Sequence, residues 1–80
     1  FPNPFNPTTT ISFELDKSEV VNMAIFDLNG TEIYEVINSQ FYAAGQHSIN
    51  INAGELPSGL YFYQLRSGKN ILTKKMLLLK

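Results

Sequence analysis

Eighty residues, 44% of them apolar and 12% aromatic, leave room for one hydrophobic core and are too apolar for a disordered tail. Six basic and seven acidic residues give a formal charge of −1, which argues against a nucleic-acid partner. With no cysteine and one histidine, the chain lacks disulfide staples and the ligand set of a zinc site, so no cofactor is expected.

The opening Phe1-Pro2-Asn3-Pro4-Phe5-Asn6-Pro7 has proline at every second or third position. Proline fixes φ and pushes its predecessor towards extended geometry, so residues 1–7 read as a stiff, non-helical lead-in. It is unlike a signal peptide, and no run approaches the roughly 18–20 apolar residues of a membrane span. Passage through an inner membrane is therefore expected to depend on sequence outside this stretch, with no membrane insertion by the module itself.

Thr9, Ile11, Phe13 and Leu15 alternate with Thr10, Ser12, Glu14 and Asp16, the period of two of a half-buried strand. Val21, Met23 and Ile25 repeat the pattern. Asp27-Leu28-Asn29-Gly30 predicts a turn, since Asn and Gly tolerate φ > 0, and residues 33–37 return as the partner strand. Residues 38–45 read as a longer connection ending in glycine, with Phe41 and Tyr42 in a loop. His47, Ile49 and Ile51 mark a short strand, and Pro57-Ser58-Gly59 a second turn. The run from Leu60 to Leu65 is the most β-prone in the chain, Ser67-Gly68-Lys69-Asn70 is a tight turn, and residues 71–79 form the final strand.

Six to seven short strands between turn signals predict an all-β, immunoglobulin-like antiparallel β-sandwich, a single domain over residues 1–80. Its expected core holds Ile11, Phe13, Met23, Ile25, Tyr61, Tyr63 and Leu65. Leu56, Gly59 and Tyr61 stand in a Leu-x-x-Gly-x-Tyr arrangement entering the strongest strand. At such a corner a tyrosine hydroxyl reaches back to a backbone group a few residues upstream.

Candidate chemistry is sparse. His47 with Ser48 or Asp27 suggests a hydrolytic arrangement, yet on a strand the neighbours His47 and Ser48 point to opposite faces, and a strand residue with a local hydrogen bond is by far the favoured reading. Asp27-x-Asn29-Gly30 resembles the start of a calcium loop but lacks the distal ligands, and a hairpin turn accounts for it. The chain is not expected to be an enzyme. Charge placement says more. All seven acids lie at or before Glu55, whereas Arg66, Lys69, Lys74, Lys75 and Lys80 crowd the last fifteen residues. Lysine on an edge strand discourages edge-to-edge pairing, and the same lysines can steer an acidic partner.

The motifs together carry a resemblance. Phe1-Pro2-Asn3-Pro4-Phe5, Phe26-Asp27-Leu28-Asn29-Gly30, Ala44-Gly45-Gln46-His47-Ser48, Leu56-Pro57-Ser58-Gly59-Leu60-Tyr61 and Thr73-Lys74-Lys75-Met76-Leu77-Leu78-Leu79-Lys80 occur in order along the chain. This series is similar to type A C-terminal sorting domains of the type IX secretion system of Bacteroidetes and related phyla. The signature is shared with the Ig-like domain of the flagellar hook-capping protein. Phe1 stands where the family usually has Tyr.

The resemblance implies a non-catalytic sorting module at the end of a larger exported protein, crossing the outer membrane to the cell surface or medium by way of the periplasm. It implies as partners the outer-membrane secretion machinery, a sortase-like peptidase and a cargo domain upstream. Lys74, Lys75, Met76, Leu78 and Lys80 are the candidate recognition residues, and Pro2, Asn3, Pro4, Phe5, Asp27, Gly30, Leu56, Gly59 and Tyr61 the structural motif. The alternative is an accessory carbohydrate- or protein-binding sandwich of a secreted enzyme, gripping its ligand through Phe41 and Tyr42.

Overall fold

The computed structural model describes residues 8–79. The lead-in, with Pro2, Asn3, Pro4 and Phe5, and the terminal Lys80 lie outside the described residues. Six strands follow in chain order: β1 (Thr8–Leu15), β2 (Glu19–Phe26), β3 (Glu32–Tyr42), β4 (Gly45–Asn52), β5 (Gly59–Ser67) and β6 (Asn70–Leu78). All pairings are antiparallel. They build a two-stranded sheet, β1-β4, and a four-stranded sheet ordered β3-β2-β5-β6. The expected all-β sandwich is the fold.

The period of two explains the core. Ile11, Phe13 and Leu15 of β1 are buried while Ser12 and Glu14 between them are exposed. On β2, Val21, Met23 and Ile25 are almost wholly buried, and Leu65 opposes Met23 across the β2–β5 pair. These side chains from both sheets form one cluster with Ile37, Ile51, Ala53, Tyr61, Met76 and Leu78. Tyr63 departs from expectation: it is half-buried and packs at the margin of this cluster.

The outer face of the small sheet is a polar ladder. Thr10 Oγ1 donates to Asn50 Oδ1 at 2.7 Å, and the Ser12 and Ser48 hydroxyls lie 3.1 Å apart.

Two turns behave as their residues dictate. Asp27 Oδ1 accepts from the backbone N–H of Asn29 and of Thr31, at 2.9 and 3.0 Å, and Gly30 takes φ 82°. The Asp27 carboxylate thus closes its own turn, as Asx side chains do. At the corner into β5, the Tyr61 hydroxyl donates to the Pro57 carbonyl at 2.6 Å. That bond satisfies the polar tip of a ring whose body is buried in the core.

One segment differs from the sequence reading. Residues 38–42, expected in a connection, belong to β3, an eleven-residue strand. The pairing of β2 with β3 slips between Val21 and Met23, where Gln40 and Ile37 are the respective partners. The slip is a β-bulge. Ser39 adopts φ 51°, and its N–H and hydroxyl both donate to Asn22 Oδ1, at 2.9 and 3.2 Å. The extra residue breaks the alternation on which a strand is recognised, so Asn38-Ser39-Gln40 reads as loop. The connection proper shrinks to Ala43 and Ala44.

Removing the corner hydroxyl by Tyr61→Phe leaves the Pro57 carbonyl short of a partner and should lower unfolding free energy by about 1–3 kcal/mol. Equilibrium urea denaturation checks this, and an unchanged midpoint would show that the bond contributes nothing. In the β5–β6 turn, Gly68 has φ 59°, and a Cβ there would sit 2.7 Å from the Glu19 carboxylate oxygens. Gly68→Ala should cost about 1–2 kcal/mol for the left-handed conformation, and the same titration reads the loss.

Candidate functional site

β6 is the outermost strand of the four-stranded sheet, paired with β5 on one side and with no strand of the described residues on the other. Its register determines which way each side chain faces, because directly opposed residues of an antiparallel pair share a face. Leu72, Lys74, Met76 and Leu78 oppose Leu65, Tyr63, Tyr61 and Gly59, on the core side. Ile71, Thr73, Lys75 and Leu77 oppose Arg66, Gln64, Phe62 and Leu60, on the outer side.

Lys74 and Lys75, adjacent in sequence, therefore project from opposite faces of one strand. Both are exposed, and among the described residues neither pairs with a carboxylate. Lys74 and Leu72 line an open cleft of about 650 Å³ with Phe13 and Glu14 of β1 and His47 of β4. Leu72 is 45% exposed although its partner Leu65 is core.

Met76 and Leu78 are buried on the core side, so at rest they offer a partner their main chain rather than their side chains. The apolar side chains that β6 exposes are Ile71 and Leu72 at its start and Leu77 at its end, with Leu79 just beyond. The sequence reading passed over these four. The alternation Leu77/Leu78 held the signal, but nothing local says which parity faces the core. Lys80 lies outside the described residues.

The outer face carries a second feature. Phe26 opposes Phe62 across the β2–β5 pair, and both line a shallow hollow of about 330 Å³ with Leu28 and Thr73. Asp27 and Gly30 form its rim through the turn described above. Leu56, Gly59 and Tyr61 act at the other end of the argument: they set the corner from which β5, and hence β6, is hung.

The other candidates separate. The His47 Nε2 lies 2.7 Å from the Ala43 carbonyl, and its ring packs on Phe13 and Tyr42 with centroids 5.4 and 4.9 Å away. Ser48 faces the opposite side, towards Ser12. No acid, base and nucleophile converge there. Among the described residues no three His, Cys, Asp or Glu side chains gather where a metal ion could be held. Phe41 and Tyr42 make no joint platform. They oppose Val20 and Glu19 and so face opposite ways, Phe41 70% exposed and Tyr42 edge-on against Phe13 at 5.4 Å.

A family model described as a secretion system C-terminal sorting domain matches residues 1–79 of the chain. No curated protein and no solved structure matches it.

His47 is a packing residue. His47→Ala removes two ring contacts and one hydrogen bond and should cost about 1–3 kcal/mol of stability. Urea denaturation measures it; a loss below 0.5 kcal/mol, taken as about the limit for a surface change, would contradict a packing role.

Proposed function

The chain belongs to the family of secretion system C-terminal sorting domains, and on that premise we propose that the free edge of β6, flanked by Lys74 and Lys75, is what the export machinery reads. Members of this family are non-catalytic sorting signals for type IX secretion, and that is the function of this module. It interacts with the secretion machinery and serves export to the cell surface or medium.

The observation that carries the proposal is a coincidence of position. The acid-free, cation-rich part of the sequence falls on β6, one of the two edges of the larger sheet and, among the described residues, unpaired on its outer side. An edge strand offers unpaired N–H and C=O groups for strand addition, and surrounding charge steers the encounter. The finer route follows from the same reading. The cargo reaches the machinery from the periplasm with this module folded, and a sortase-like peptidase then separates module from cargo; Lys80, outside the described residues, adds a further positive charge to this part of the sequence. Chemistry resides in those partners. The corner residues Leu56, Gly59 and Tyr61 hold the start of β5, to which β6 is paired, and Asp27 and Gly30 close the β2–β3 turn; Pro2, Asn3, Pro4 and Phe5, outside the described residues, complete the structural motif.

The alternative, a ligand-gripping module built on Phe41 and Tyr42, is not favoured by any observation, since the two rings face apart.

Changing Lys74 and Lys75 together to Gln removes charge and keeps polarity, so folding should shift by no more than about 0.5 kcal/mol per site. A reporter fused ahead of the module should then accumulate in the periplasm instead of reaching the surface. Normal export of the reporter by a folded double-Gln variant would mean that the lysines serve solubility of the edge and that the signal lies elsewhere.

A further inference from the structure

The placement of the two lysines on opposite faces of a strand whose outer edge has no partner among the described residues constrains what can bind them both. Resting on the reading above, we propose that β6 is recognised by an extended segment of a partner that adds as a fifth strand and carries two adjacent acidic residues flanked on both sides by apolar ones.

The argument runs through register. A strand hydrogen-bonded to the free edge of β6 places its own side chains alternately on the core side and the outer side. The residue opposite Lys74 then points to the core side and the residue opposite Lys75 to the outer side, following the faces set by Tyr63 and Phe62. Two carboxylates answer both lysines when they are neighbours in sequence. Carboxylates two positions apart share a face and can oppose one lysine alone. A flat anionic surface laid on either face of the sheet likewise meets one lysine while the other projects away from it.

The flanks are specified in the same way. Beyond the lysines on one side, the added strand opposes Leu77 on the outer face, 63% exposed, and the buried Met76 and Leu78 on the core face. On the other side it opposes Leu72, which stands at the open cleft, and the exposed Ile71. Each of these gains a hydrophobic neighbour from an apolar residue, while Thr73 between them suits a β-branched polar one. The order apolar–acid–acid–Thr–apolar holds for an antiparallel segment, and its reverse for a parallel one. A second copy of β6 is disfavoured as occupant, since it would bring lysine against lysine.

The test uses the 80-residue chain and three fluorescein-labelled peptides. The first is Ile-Val-Val-Glu-Glu-Thr-Val-Ile; the second is its isomer Ile-Val-Glu-Val-Glu-Thr-Val-Ile; the third replaces both Glu of the first by Lys. Fluorescence anisotropy should rank the adjacent-Glu peptide about two- to fivefold above the spaced isomer, as one cross-strand ion pair is lost. It should rank about tenfold above the Lys peptide, where two pairs turn from attractive to repulsive. The K74E/K75E variant, its folding checked by urea denaturation, should invert the order of the first and third peptides.

Equal binding of the adjacent and spaced peptides, or no binding of any peptide at millimolar concentration, would overturn the strand geometry. So would charge-dependent flotation with phosphatidylglycerol vesicles in the absence of peptide binding, which would make a lipid surface the occupant. The two proposals fail separately. Export blocked in the double-Gln variant without the peptide ranking removes the added strand and leaves the lysines as signal. Normal export in that variant removes both.

Discussion

A sheet of two strands has to bury the inner face of a sheet of four, and neighbouring strands stand only about 4.8 Å apart, so the smaller layer covers about half the width of the larger. The consequences run through the molecule. The central strand β2 carries the most deeply buried side chains, Val21, Met23 and Ile25, in one cluster with residues of β1 and β4. Both flanks are left thinly covered by the described residues. On one, Tyr34 opposes the fully buried Ile25 yet is 43% exposed; on the other, Leu72 opposes Leu65 and stands at an open cleft.

Each flank resolves this differently. On the β3 side, the bulge at Ser39, held by Asn22, resets the register so that Tyr42 returns to the face of Val21 and packs against Phe13 and His47. The flank is sealed by aromatic rings at the place where β3 passes into β4. On the β6 side no such seal is present among the described residues. The core-side position after Leu72 is a lysine, whose stem can lie along apolar surface while its ammonium stays in water. The sandwich thus closes one flank with rings and leaves the other edged by lysines, which discourage uncontrolled edge-to-edge pairing.

Under the reading proposed above, this asymmetry lets the module be recognised while folded, without access to buried side chains. Met76 and Leu78 hold β6 to the core, while among the described residues the main chain of the same strand stays unpaired on its outer edge, beside Lys74 and Lys75. The Tyr61–Pro57 corner bond anchors the start of β5, and the pairing from Gly59 through Ser67 carries that placement across to β6.

Much of this was legible in the chain itself. The alternations around Ile11, Met23 and Ile49, the turns at Asp27 and Gly68 and the tyrosine corner are local patterns, dictated by side-chain period and by which residues tolerate positive φ, and each appears where the pattern puts it. The family was legible as well, because its motifs lie in order along one dimension. The run from Asn38 to Tyr42 was not, since a bulge is a property of two strands in register, and Asn22, which holds it, is seventeen residues from Ser39. Nor was it legible which of Lys74 and Lys75, or of Met76 and Leu77, faces the core. In a sequence they are neighbours of like chemistry. Only the pairing with β5, and the sheet that does or does not lie over each face, decides which is core, which is surface and which strand edge has no partner among the described residues.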